Sequence, residues 1–151
     1  MSHPIDYSRY QTLSISRRGA SQSVLDIQMK AQGPGGNGKL PTAGHEGHAE
    51  LAEIWLDVGR DDSVRCAVLR GQGLGFSGGG DLSLVQDMTR DFEVRTRVWK
   101  EARDLVYNLI NCDKPIVDPS ILEKKWKTIK ASNELPRHSK KIFNARRPIP
   151  L

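Results

Sequence analysis

Residues 71–80 contain six glycines, and this segment constrains the chain more than any other. So many glycines disfavour regular helix and strand and leave backbone amides uncovered by side chains. The segment follows an apolar run at 64–69 that is bounded by turn residues, which is typical of a strand buried on both faces. Asp81 then stands where it can cap a helix. The pattern predicts a strand, a loop with bare amides and a helix, in that order.

The segments around this loop predict an α/β fold. Alternating apolar residues predict strands at 10–17 and 23–29, joined by a hairpin-like turn at 18–21. Helical spacing predicts an amphipathic helix at 45–58 that ends at Gly59, and helical structure from Asp81 to Ile110 with a break near Asp91. An apolar strand then begins at 115–117. Strands that alternate with helices favour parallel pairing.

The net charge of +5 comes from the C-terminal segment. Residues 1–117 carry 14 basic and 15 acidic side chains, whereas residues 118–151 carry 9 basic and 3 acidic ones. We therefore expect two regions, 1–117 and a basic tail of no recognised family at 118–151. The tail is expected to be partly disordered or irregular. A non-catalytic module whose tail binds nucleic acid or an anionic surface is an alternative function.

Candidate thiols and imidazoles predict no metal site. Cys66 and Cys112 stand singly in apolar segments, so we interpret them as reduced, buried thiols of a cytoplasmic protein. His45 and His48 lie three residues apart without further ligands at metal spacing, which favours an ordinary helix face. We find neither a secretory signal pattern nor an apolar stretch of membrane-spanning length.

One interpretation of the glycine segment is a nucleotide site. Gly73, Gly75 and Gly78 match G-x-G-x-x-G after a strand, and Glu93 follows at about the offset of a ribose-binding carboxylate. A dinucleotide fingerprint opens its helix at the second glycine, however, whereas here the loop continues to Gly80. Nucleotide binding is thus a second alternative.

A larger set of residues resembles the enoyl-CoA hydratase/isomerase (crotonase) superfamily. That family typically reads D-x-x-V-R-x-x-V-L-x-G-x-G-x-x-F-S-[AG]-G-x-D-L. The matching positions here are Asp62, Val64, Arg65, Val68, Leu69, Gly71, Gly73, Phe76, Ser77, Gly78, Gly79, Asp81 and Leu82. The stretch CDKPIV at 112–117 is similar to the K-P-[IV] that opens the family's next strand. The resemblance implies an incomplete crotonase-like spiral of ββα units.

The resemblance also implies an acyl-CoA site in the glycine loop. Gly80 would donate its backbone N–H to a thioester oxyanion, the kind of stabilisation that preorganised donors provide. Ala43, Gly78 and Leu82 would contact coenzyme A, with Ala43 matching the alanine of the family's N-A-L segment. Coenzyme A enters as part of the substrate, with no separate cofactor and no metal. The implied chemistry is hydration of a 2-enoyl-CoA or double-bond isomerisation, and full-length relatives are expected to form homo-oligomers.

The family's second oxyanion segment, which ends in G-G-G, does not follow Val117. Residues 118–151 contain no glycine, and Glu123 and Glu134 are their only glutamates. We therefore expect a front portion of the crotonase domain joined to a different end, as truncation or a frameshift would produce. Such a chain is expected to be weakly active or inactive alone.

Overall fold

Six strands, three α-helices and a short 3-10 helix at Tyr7–Arg9 lie in the part of the chain that our computed structural model describes, residues 5–31, 40–73 and 75–119. The strands are β1 Leu13–Arg18, β2 Val24–Met29, β3 Thr42–Ala43, β4 Cys66–Gly71, β5 Gly79–Gly80 and β6 Ile116–Val117. The helices are α1 His45–Arg60, α2 Leu82–Arg90 and α3 Phe92–Ile110. The predicted α/β class and the predicted break at Asp91 are both confirmed.

Four strands form one sheet in the order β1-β2-β4-β6. The β1–β2 pair is antiparallel, whereas β4 pairs in parallel with β2 and with β6. The hairpin turn includes Gly19 at φ 82° and Gln22 at φ 53°, and such left-handed backbone conformations suit a tight turn. The parallel pairs confirm the topology expected from alternating strands and helices.

Among the helices, α1 contributes most of the buried apolar side chains of the core. Its Ile54, Trp55 and Val58 are at most 1% exposed, and they belong to one cluster with Leu25 and Ile27 of β2. Complete burial of one such apolar side chain stabilises the fold by about 1.5–3 kcal/mol. The sheet and α1 therefore form the stable layer on which the remaining elements are built.

A buried carboxylate lies between two arginines on the sheet. Asp26 of β2 is 2% exposed and binds Arg18 of β1 and Arg70 of β4, with Arg70 Nε 2.8 Å from Asp26 Oδ1. Burial alone would raise the pKa of Asp26, but the hydrogen bonds from Arg70 and Arg18 outweigh it and hold that pKa below its ordinary value. The charged form of Asp26 thus ties three strands together.

Two tyrosines fasten the N-terminal segment to α1 and the turn after it. Tyr10 donates its hydroxyl to Asp57 at 2.7 Å, and Tyr7 donates to Asp61 at 3.0 Å. Burial, followed by the bond to the carboxylate, raises the pKa of each tyrosine above its ordinary value. Both phenols therefore stay protonated as donors at neutral pH.

Three local expectations were wrong. Strand β4 is not buried on both faces, because Ala67 and Leu69 are buried while Cys66 and Val68 are only half-buried. Cys66 and Cys112 are free thiols but are half-buried rather than buried. Helix α1 does not end at Gly59 but continues through Arg60, and Asp61 forms its C-cap.

The predicted basic tail lies outside the described residues except for Asp118 and Pro119. The boundary at 117, the expected disorder and the expected anionic partners of the tail stay predictions. Among the described helices, none has the length and apolar character needed to cross a membrane.

Candidate functional site

The glycine loop is held by a two-stranded parallel ladder that the sequence did not predict. Strand β3 pairs with β5, with Thr42 opposite Gly79 and Ala43 opposite Gly80. Two residues per strand are too few to produce an alternation pattern, so no periodicity could reveal them. The ladder brings the segment before α1 against the segment before α2.

The backbone N–H groups of the loop donate hydrogen bonds to different acceptors. Gly78 N–H donates to Pro41 O at 2.8 Å, and Asp81 N–H donates to Ala43 O at 2.9 Å. Gly79 N–H donates to Ser77 Oγ at 3.0 Å. Successive N–H groups of an extended strand point to opposite sides. Because Asp81 N–H points toward β3, the N–H of Gly80 points away from it.

The loop glycines serve distinct purposes. A Cβ on Gly71 would lie 2.1 Å from Gly75 O and 2.2 Å from Phe76 O, so the loop can fold back on the end of β4 only if residue 71 is glycine. Gly79 has φ 90°, where other residues are strained. At Gly80, a Cβ would meet nothing within 4 Å. The side of residue 80 on which a Cβ would stand is therefore open, and Gly80 is exposed.

The structure brings three of the four predicted site residues together. Gly80 is the ladder partner of Ala43, and Gly78 bonds to Pro41 just before β3. Gly78 and Gly80 are both exposed. The fourth residue, Leu82, begins α2 and is 70% exposed. The loop therefore presents bare backbone beside an exposed apolar side chain.

Asp81 acts as the cap of α2. Its Oδ1 accepts from Ser83 N at 2.9 Å and from Ser83 Oγ at 2.6 Å, while Oδ2 accepts from Thr42 Oγ1 at 3.3 Å. The two bonds from Ser83 lower the pKa of Asp81 below its ordinary value. An ionised carboxylate with these donors is a poor proton donor, and the bonds from Ser83 fix the start of α2.

The predicted histidine face is a polar network that joins three helices. His45 Nε2 lies 2.9 Å from Asp87 Oδ2 of α2, and Arg97 Nη2 of α3 lies 2.7 Å from His45 Nδ1. Since Arg97 can only donate, Nδ1 must accept, and Nε2 carries the proton toward Asp87. His48 Nδ1 lies 3.0 Å from Glu101 Oε2. The sequence did not indicate these partners, which lie about 40 to 50 residues away.

An open cleft of about 340 Å³ adjoins this network. It is lined by residues that directly follow β3 and β5: Gly44, His45, Glu46, Gly47, Asp81 and Ser83. Within the described ranges, no group of three or more His, Cys, Asp or Glu side chains is arranged to hold a metal. The cleft therefore offers backbone and hydrogen-bonding groups.

The structure does not place the G-x-G-x-x-G residues as a dinucleotide-binding fingerprint requires. Gly73, Gly75 and Gly78 precede β5, so the helix does not open at the second glycine but only at Leu82. Glu93 lies in the first turn of α3 rather than at the end of a strand. These positions give no support to a pyrophosphate seated on a helix N-terminus.

Known structures share this architecture. An enoyl-CoA hydratase/isomerase from Mycobacterium paratuberculosis superposes with a TM-score of 0.64 and 23% identity, over 74% of this chain and 42% of that one. The beta-diketone hydrolase ABDH from the cyanobacterium Anabaena sp. PCC 7120 superposes with a TM-score of 0.63 and 20% identity, over 80% of this chain and 45% of that one. An enoyl-CoA hydratase from Shewanella pealeana superposes with a TM-score of 0.59 and 19% identity, over 73% of this chain and 39% of that one.

The chain therefore has a crotonase-like fold, and the resemblance predicted from the sequence is confirmed at the level of that fold. Among curated proteins, 1,2-epoxyphenylacetyl-CoA isomerase of Escherichia coli (strain K12) is 47% identical over 45 residues, which cover 30% of this chain and 17% of that protein. No protein-family model matches the chain. The chain spans less than half the length of these similar proteins.

Proposed function

We propose that this chain binds acyl-CoA thioesters at the glycine loop, with the Gly80 N–H donating to the thioester oxygen. The observation that carries the proposal is the β3–β5 pairing, which turns the Gly80 N–H away from β3. The donor is preorganised because the flanking amide of Asp81 is fixed to Ala43 O. Such a fixed donor stabilises charge that develops on a carbonyl oxygen.

The rest of the coenzyme would follow the same loop. The Gly78 carbonyl would face the adenine, Ala43 would lie beside the coenzyme, and Leu82 would provide an exposed apolar contact. The names of similar proteins support this assignment, since two of them are enoyl-CoA hydratases and one is an acyl-CoA isomerase. We propose the same reaction class, hydration of a 2-enoyl-CoA or a shift of its double bond, and a cytoplasmic location.

The same geometry leads us to propose weak turnover for these 151 residues. One oxyanion donor contributes about 3–4 kcal/mol to a transition state, and a positioned acid or base adds roughly 10²–10⁴-fold. The carboxylate nearest the loop, Asp81, caps α2, and Asp87 bonds His45. Both carboxylates are therefore engaged in structural hydrogen bonds. Binding and polarisation of the thioester are therefore the expected activities.

An amide NMR titration with butanoyl-CoA tests the binding proposal. We expect saturable shifts at Ala43, Gly78 and Leu82, and a large downfield shift of the Gly80 amide as it donates to the thioester oxygen. Free coenzyme A is the matched control, because it lacks that oxygen; it should reproduce the first set of shifts and leave Gly80 nearly unchanged. Butanoyl-CoA that shifts none of these amides at millimolar concentration would contradict the proposal.

A further inference from the structure

The outer face of α3 carries an exposed apolar stripe that the proposed site does not use. We call Phe92, Trp99, Val106 and Ile110 the α3 stripe; they are 70%, 62%, 54% and 71% exposed. Val98, which lies about 100° from Trp99 around the same helix, is 4% exposed and packs inward. A helix that faces only water on its outer side would carry polar residues there, so the α3 stripe has the composition of a contact surface.

The spacing of the stripe indicates what kind of surface would cover it. Phe92, Trp99 and Val106 are seven residues apart, and Ile110 follows four residues later. A seven-residue repeat keeps a seam straight along one side of a helix, which is the arrangement by which two helices pack. The stripe extends over the whole of α3, roughly 28 Å at 1.5 Å per residue. It fits another long helix better than a compact ligand.

We propose that two copies of this chain associate through the α3 stripe, with the two α3 helices antiparallel. We place the two-fold axis of the pair at the midpoint of the stripe, close to residue 101. Phe92 of one copy then faces Ile110 of the other, and Arg103 faces Trp99. A parallel pair would instead place the two Arg103 side chains against each other, and like charges across an interface oppose association.

The Arg103–Trp99 contact uses a cation that is already positioned. Arg103 is held by Asp104, with Nη2 2.7 Å from Oδ1, and its side chain is 68% exposed. A guanidinium over an indole ring adds a cation–π attraction of about 0.5–2 kcal/mol. Within this same helix, Arg95 already lies 5.5 Å from the centroid of the Phe92 ring. In the proposed pair, Arg103 thus meets Trp99 at the centre of the seam, and Phe92 meets Ile110 at its ends.

The size of the stripe predicts a weak dimer. With Tyr107, which is 64% exposed, the five side chains offer roughly 600 Å² in each copy if large residues carry about 150–250 Å². Pairing two stripes removes on the order of 1,200 Å² from water, the lower limit for a specific interface. We therefore expect a reversible dimer with a Kd of about micromolar or weaker.

Sedimentation velocity of the full chain from about 5 to 500 µM tests the association. We expect a concentration-dependent dimer whose Kd rises at least about tenfold in Val106→Glu, which places a charge in the seam. Val85→Glu is the matched control, since Val85 lies on α2 and is 47% exposed; it should dimerise like the parent. A monomer at every concentration, or equal effects of the two variants, would overturn the proposal.

Cross-linking tests the orientation independently of affinity. In a Cys66→Ser/Cys112→Ser background, Thr96→Cys and Val106→Cys chains are mixed and treated with a short thiol-reactive linker. The antiparallel pair places residue 96 opposite residue 106, so we expect mainly mixed products. Products that join two copies through residue 96 would overturn the antiparallel arrangement.

Discussion

The sheet with α1 and the glycine loop with α2 are stabilised in different ways. Helix α1 buries six residues, among them Ile54, Trp55 and Val58, whereas Leu84 is the only buried residue of α2. The loop is held by the β3–β5 ladder, and α2 by the Asp81 cap and the His45–Asp87 contact. Regions with few buried apolar contacts open at lower free energy than the core does. A rigid layer thus positions a locally adjustable site.

Truncation in the rigid layer should have the largest effect. Leu25 is fully buried in β2, so Leu25→Ala removes packing and leaves a cavity that costs about 2–5 kcal/mol. Urea unfolding followed by circular dichroism measures this loss. Leu82→Ala, at a position 70% exposed, is the control and should stay within about 0.5 kcal/mol. Equal losses in the two variants would refute the contrast.

Acid should weaken the rigid layer through Asp26. Its pKa is lower in the folded chain than in the unfolded one, so its stabilisation is complete above pH about 4 and is lost as the pH falls further. Asp26→Asn should cost about 1.5–3 kcal/mol at neutral pH, because charge-assisted bonds to Arg18 and Arg70 are lost. The variant should also show a flatter free energy of unfolding between pH 2 and 5. A parallel pH profile would contradict this assignment.

The junction between the two regions is sensitive at one glycine and tolerant at another. Gly71→Ala forces backbone carbonyls of the loop to move, so we expect a loss of about 1–3 kcal/mol and weakened β3–β5 pairing. Gly80→Ala meets no neighbouring atom and should be nearly neutral. Urea unfolding with amide exchange at Asp81 reports both effects. Similar behaviour of the two variants would show that the loop does not pack as described.

The smallest effect is expected at the link between α1 and α2. His45→Ala removes a partly exposed contact worth about 0–1 kcal/mol, so global stability should hardly change. Hydrogen exchange of α2 should nevertheless accelerate, because Asp87 loses its partner on α1. Glu46→Ala on the same turn is the control and should leave exchange in α2 as it was. Unchanged exchange in His45→Ala would exclude this link.

The difference between the regions also explains what the sequence could predict. Alternation in the predicted strand at 10–17, the apolar residues of the predicted strand at 23–29 and helical spacing from 45 reflect burial, which repeats along the chain and is therefore visible in it. The sequence did not predict that Cys66 and Val68 lie on a half-buried face of β4. A short apolar run has the same composition whether one face of the strand or both are covered. Gly59 resembled a helix stop, but Asp61 fulfils that role.

The site itself was visible only in part. The cap Asp81 was predicted correctly, whereas the amides expected to be bare are hydrogen-bonded at Gly78, Gly79 and Asp81. The ladder that orients the Gly80 amide depends on Thr42 and Ala43, nearly 40 residues earlier, and two residues leave no pattern. His45, Asp87 and Arg97 meet only through the packing of three helices. Pairwise contacts between distant single residues are not encoded in local periodicity.

Gly80→Pro compared with Gly80→Ala tests the central claim most directly. Proline removes the N–H that faces away from β3, whereas alanine keeps it, and neither substitution removes a bond of the β3–β5 ladder. By calorimetry with butanoyl-CoA, we expect Gly80→Ala to bind within about threefold of the parent and Gly80→Pro about tenfold more weakly, as the loss of one hydrogen bond predicts. A natively folded Gly80→Pro chain that binds butanoyl-CoA as tightly as the parent would contradict the account.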